Sequence, residues 1–145
     1  MQNLSAKYGK TLNLDKLTSY CPGCGHGIVT RLVAEAIETL GIRERAIAIV
    51  GIGCGGFSHH YMDVDAIEAT HGRSPSFAVG YKLCRPDNIV FTYCGDGDSC
   101  AIGLGDLMHA ANKGMPITSI MVNNSVFGLT GGQRSPPTLD GQGTA

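Results

Sequence analysis

Two aspartates stand among glycines where an apolar run ends: Asp96 and Asp98 in CGDGDSCAIG, residues 94–103, directly after Ile89–Tyr93. Two asparagines, Asn123 and Asn124, follow the next apolar run, Ile117–Val122. Carboxylates and amide oxygens are hard donors suited to a divalent cation. Gly95 and Gly97 remove side chains at the same place, so an anion can approach bare N–H groups and a helix N-terminus. A phosphate beside two carboxylates is repelled unless a cation lies between them. Mg2+ meets that need, since it takes one or two carboxylates together with phosphate oxygens. Asn124 and a neighbouring main-chain carbonyl would complete the protein's share. The plainer alternative is a helix cap at Asp96 and a turn at the asparagines. GDGD alone favours the cap, because short motifs are weak signals. The double asparagine, one crossover later, favours the cation.

A second group of residues could bind metal through sulfur. Cys21 and Cys24 form C-P-G-C, held in a turn by proline and glycine, and Cys54 follows another apolar run. Thiolates so placed suit zinc or an iron–sulfur cluster. Cys84, Cys94 and Cys100 read as small buried hydrophobes. His59 and His60 lack ligand spacing and read as solvated loop residues. In His71-Gly72-Arg73 the guanidinium could pair bidentately with a carboxylate or phosphate.

The elements that must position these groups are short. Apolar residues at 28, 29, 32, 33, 36, 37 and 40 make a helical stripe, with Gly41 as its C-cap. Residues 46–52, AIAIVGI, suit a buried parallel strand. Residues 53–73 read as a glycine-rich and then polar, histidine-bearing connection, and 76–83 as a short helix. Residues 89–94, 99–113 and 117–123 read as strand, helix and strand, a βαβ unit with a right-handed crossover. Residues 1–20 form an irregular arm, and the tail after 129 is turn-rich. The sequence predicts an α/β fold: an open, mostly parallel sheet with flanking helices, exposed at its C-terminal edge.

The 145 residues suffice for one domain with a real core, and 43% hydrophobic against 16% charged residues makes it globular. A net charge of −1 offers no basic excess for nucleic acid or an anionic membrane. No apolar run approaches the roughly 18 residues of a membrane span, and no signal-peptide pattern opens the chain. A cytoplasmic location is expected. Six cysteines in that setting point to metal or redox chemistry before disulfides.

GDGD with Asn123-Asn124 resembles the diphosphate-binding motif of thiamine diphosphate enzymes. More narrowly, CPGCGHG, GIGC, ATHGR and VNNSVFGLTGGQRSPPT resemble the β subunit of 2-oxoacid:ferredoxin oxidoreductases, in order from Tyr20 to Thr138. That resemblance implies a thiamine diphosphate-binding fold of the diphosphate-binding type over residues 1–145, incomplete at its C-terminal end. It makes Asp96, the Asn124 side chain and the Val126 carbonyl the ligands of Mg2+. Gly95, Gly97 and Asp98 would line the diphosphate, with Gly128 and Leu129 closing over it. Ile52, Gly53, Cys54 and Gly55 would meet the cofactor's other side. Cys21, Cys24 and Cys54 would be three ligands of a 4Fe-4S cluster. The family's fourth cysteine lies further along than this chain extends, so a fragment is expected. His71 and Arg73 match a segment facing the active site, and His26 receives no role.

The activity so implied is oxidative decarboxylation of a 2-oxoacid. Electrons pass singly through the cluster to ferredoxin, and coenzyme A accepts the acyl group. GLTGGQ resembles both 2-oxoglutarate and branched-chain members. The glutamate that activates the cofactor's aminopyrimidine ring belongs, in the family, to a separate pyrimidine-binding domain, so an α subunit is an expected partner. Two rivals stand beside this reading. A non-oxidative thiamine diphosphate enzyme would share GDG and NN but has no use for the cysteines. A non-catalytic zinc- or nucleotide-binding module would hold zinc and ignore thiamine.

Overall fold

The computed structural model describes residues 9–145, so the first eight residues of the expected arm lie outside the described part. From Gly9 onward the arm is tied down rather than loose. Leu12 bridges Met62, and Asp63 N–H donates to the Thr11 carbonyl at 2.7 Å.

The core is a four-stranded parallel sheet. Its strands are β1 (Ala46–Val50), β2 (Asp65–Glu68), β3 (Ile89–Gly95) and β4 (Ile117–Val122), in the order β2-β1-β3-β4. Helix α1 (His26–Leu40) covers one face, against Ala46, Ala48, Val50, Phe91 and Tyr93. Helix α2 (Ser74–Cys84) covers the other, where Ile47, Ile49 and Val90 meet Ala78. Helix α3 (Leu104–Asn112) lies beside α2. Every residue of β1 is buried because both of its faces are covered, which is why it reads as an unbroken apolar run. Each such Ile or Val contributes about 1.5–3 kcal/mol by leaving water. That holds the β1 and β3 tips, and hence the polar groups beyond them, in fixed relation.

Three differences from the sequence reading have physical causes. Strand β2 lies inside what reads as a polar connection. It is an edge strand, held by backbone pairing from Ile47↔Asp65 to Val50↔Glu68, with Ile67 its one half-buried side chain, so it carries no apolar signature. The expected helix 99–113 is two pieces: a π-helical turn, Gly97–Ile102, followed by α3. The wider turn sits directly on the acidic strand tip, and such turns recur at functional sites. The tail is not all turn. Strands β5 (Val126–Phe127) and β6 (Gln133–Arg134) form a small antiparallel hairpin over the same tip.

Helix α1 ends as expected at left-handed Gly41 (φ 63°). Strand β4 is the outer strand on the other side, and Thr118, Ser119 and Met121 are exposed. No helix among the described residues is long and apolar enough to cross a membrane.

Candidate cofactor site

The carboxyl ends of β1, β3 and β4 open into one cleft, with about 560 Å³ of empty space counted to its mouth. Ile52, Gly53 and Cys54 enter it from the β1 tip. Gly95, Asp96, Gly97 and Asp98 come from β3 and the π-helical turn. Asn124, Val126, Gly128 and Leu129 come from the loop after β4 and the hairpin. Residues far apart in sequence therefore share one concavity, at the place where open parallel sheets carry ligands.

Asp96 is 2% exposed. Its Oδ1 accepts from Gly97 N–H (2.9 Å) and its Oδ2 from Ser135 Oγ (2.7 Å). The local cap and the cleft-lining position thus coexist at one residue. Asn124 Nδ2 donates to the Cys24 carbonyl (3.1 Å), which leaves the amide oxygen as its remaining polar atom. Between Asn124 and Val126, Ser125 adopts a left-handed φ of 63°. Gly97 has no room for a side chain: a Cβ there would sit 2.1 Å from the Phe127 ring. The backbone is bare because the hairpin presses on it.

Asp98 is also 2% exposed and lines the floor of the cleft. Its buried Oδ2 lies beside Gly51 and the Cys94 thiol, and its Oδ1 accepts from Gly72 N–H (2.8 Å) and from His71 Nδ1. His71 reaches the cleft through this contact. Arg73 is not among the residues lining this cleft, and its guanidinium pairs with Asp106. Gly55 also sits behind the cleft rather than in it. A Cβ on Gly55 would meet the β3 backbone at Cys94 and Gly95 (3.1 Å), so its role is to let the β1 loop pack closely.

The thiols at 21, 24 and 54 share a neighbourhood. Cys24 N–H donates to the Cys21 carbonyl (3.2 Å), closing the C-P-G-C turn. Burial first, then the Cys24 and Cys21 thiols, push the Cys54 thiol above its ordinary range. Among the described residues no three metal-binding side chains close around a single ion. Cys94 is 1% exposed and pushed up to about 12, chiefly by burial, as the hydrophobe reading expects, whereas Cys84 is exposed and Cys100 half-buried, against that reading.

Several residues of the cleft escape sequence reasoning. His26 is 2% exposed and lines the cleft, with its ring stacked on Tyr20. Its Nδ1 lies 3.3 Å from Tyr93 Oη, which donates to the His26 carbonyl (3.1 Å). Tyr93 Oη also meets Thr30 Oγ1 at 3.0 Å. Burial holds His26 down at about 4, outweighing the opposite pull of the Asp96 carboxylate. The adjacency of His26 to Cys24 in CPGCGHG was the available signal. Phe127 and Thr130 enter with the hairpin, and Ser135 reaches Asp96 from the tail.

A parallel sheet, a cleft at its carboxyl edge, paired aspartates and an asparagine loop define a cofactor-binding α/β domain. Residues 33–145 match the family described as thiamine pyrophosphate enzyme, C-terminal TPP binding domain, and the chain belongs to that family. It is 45% identical over 127 residues to the ketoisovalerate oxidoreductase subunit VorA of Methanothermobacter thermautotrophicus, covering 88% of this chain and 27% of that protein. With the 2-oxoglutarate synthase subunit KorB of Archaeoglobus fulgidus it shares 37% over 142 residues, 97% of this chain and 53% of that protein. Among solved structures it superposes on a 2-oxoglutarate:ferredoxin oxidoreductase from Magnetococcus marinus, solved with 2-oxoglutarate, coenzyme A and succinyl-CoA bound. There the TM-score is 0.88 at 34% identity, over 100% of this chain and 49% of that one. The chain thus spans about a quarter to a half of the relatives it matches.

Proposed function

We propose that this chain is the diphosphate-binding part of a 2-oxoacid:ferredoxin oxidoreductase β subunit. It would bind thiamine diphosphate with Mg2+ for coenzyme A-dependent oxidative decarboxylation of a 2-oxoacid, in the cytoplasm. The observation that carries the reading is the single cleft uniting Asp96, Asn124 and Val126 with the bare backbone of Gly95 and Gly97. When bound, thiamine diphosphate supplies an electron sink for the carbanion left when a 2-oxoacid loses CO2.

The residues present fit the group. Asp96, the amide oxygen of Asn124 and the carbonyl of Val126 would hold Mg2+, and the diphosphate would lie on Gly95 and Gly97. The buried Asp96 carboxylate, in one cleft with the side-chain-free backbone of Gly95 and Gly97, supports a cation and a diphosphate together. Asp98 holds His71, which lines the cleft, by its Nδ1. Cys21, Cys24 and Cys54 would hold three corners of a 4Fe-4S cluster at one end. The α subunit would supply the pyrimidine-binding domain and its glutamate, and ferredoxin would remove the electrons. Relatives named for ketoisovalerate and for 2-oxoglutarate leave both 2-oxoacids as substrates of the proposal.

The test is anaerobic viologen reduction by the protein in its native assembly, with coenzyme A, thiamine diphosphate, Mg2+ and either 2-oxoacid. Turnover is expected with one of them and its loss in Asp96→Ala. Iron analysis separates this reading from a non-oxidative thiamine enzyme. Turnover undiminished in Asp96→Ala, or an iron-free active assembly, overturns the proposal.

A further inference from the structure

The tail segment Ser135–Thr138 (SPPT) belongs to no helix or strand, yet its two hydroxyl residues are buried, Ser135 at 6% and Thr138 at 8% exposed. Their hydrogen bonds run in opposite directions. Ser135 Oγ donates to Asp96 Oδ2 (2.7 Å), at the tip of β3. Thr138 Oγ1 donates to the Ser125 carbonyl (2.6 Å), in the loop after β4, and accepts from Ser135 N–H (2.8 Å). Pro136 and Pro137 lie between them with fixed φ and no N–H to compete for these acceptors. One short turn thus ties Asp96, just past the end of β3, to the loop after β4.

The point of attachment in the loop is informative. Ser125 is the one non-glycine residue with positive φ among those described, a conformation that L side chains disfavour. It separates Asn124 from Val126, both of which line the cleft. The Thr138 hydroxyl grips the strained residue itself. At the other end, a neutral hydroxyl orients the Asp96 carboxylate without cancelling its charge, as lysine or arginine would. The charge is left for a cation, and outer partners of this kind are what aim a metal ligand.

We infer that Ser135 and Thr138 form a hydroxyl clamp that sets Asp96 against the Asn124–Val126 loop, and are positioning residues for a divalent cation held between them. The inference rests on the cation site proposed above and adds to it two residues that touch neither cation nor cofactor.

Mn2+ binding, read by the loss of free-ion EPR signal with thiamine diphosphate present, tests it in the native assembly. Thr138→Val keeps the side-chain shape and removes the hydroxyl; Ser135→Ala removes the other arm. Each is expected to weaken Mn2+ binding about tenfold or more, the usual cost of removing an outer partner. Thr138→Ser restores the hydroxyl and is expected to restore binding to near wild type. Melting temperatures without cofactor separate folding from positioning. Variants that melt lower but bind Mn2+ as wild type show the clamp to be structural only, and overturn the inference while Asp96→Ala still abolishes binding. Undiminished Mn2+ affinity in Asp96→Ala removes the cation site and the clamp together. If Thr138→Val does not fold, Ser135→Ala and Thr138→Ser carry the same comparison.

Discussion

Gly72→Ala is expected to unfold the floor of the cleft out of proportion to one added methyl group. Gly72 has φ +77°, and a Cβ built on it would lie 2.7 Å from Gly103 N, Ile102 C and Ile102 Cγ2. The left-handed conformation costs an L residue about 1–2 kcal/mol. Forcing a methyl against a backbone that cannot rotate away adds about 1–3 kcal/mol of overpacking. The sum is about 2–5 kcal/mol, a large part of a small domain's stability. Glycine at 103 faces the same junction, so relief by moving the π-helical turn would drag Asp98, whose Oδ1 accepts from Gly72 N–H. Urea denaturation followed by far-UV circular dichroism measures the loss, with m unchanged if the unfolded state is unaffected. Gly105→Ala is the internal control. It lies within α3 with nothing within 4 Å of an added Cβ, so it is expected to be neutral or to gain up to about 1 kcal/mol. A Gly72→Ala protein within about 1 kcal/mol of wild type would refute the claim that this contact is rigid.

Thiol reactivity should follow burial. Iodoacetamide at about pH 8 is expected to label exposed Cys84 and spare Cys94, whose thiol is buried and pushed up to about 12; mass spectrometry of the folded, metal-free protein reads the sites, and rapid labelling of Cys94 contradicts the packing. Acid stability should carry the signature of His26. Its value falls from 6.5 unfolded to about 4 folded, so the neutral ring stabilises the fold fully above pH 6.5, and that contribution is lost as pH falls from 6.5 to about 4. The full span is about 3 kcal/mol, and urea midpoints of the cofactor-free protein across that range should decline less steeply in His26→Gln.

Much of this protein is legible along the chain because the relevant signals are local. A strand covered on both faces, such as β1, has to be an apolar run, and a helix packed by one stripe, such as α1, has to repeat its apolar residues. The acidic tip was legible for the same reason: glycines and carboxylates that crowd a strand end are neighbours in sequence. Edge strand β2 was not, because its place is assigned by hydrogen bonds to β1, which any side chains permit. Nor was the pairing of Arg73 with Asp106. A guanidinium reaches several carboxylates equally well, and only the packing of α3 beside α2 puts Asp106 within its reach. His26 and the SPPT hydroxyls needed the fold most of all. Their partners Tyr93, Asp96 and Ser125 lie 67, 39 and 13 residues away, and a buried polar group takes its meaning from whatever closes over it. Spacing along the chain determines which groups can gather at a strand tip; which hydrogen bonds each one makes there is decided only when the strands align and water leaves.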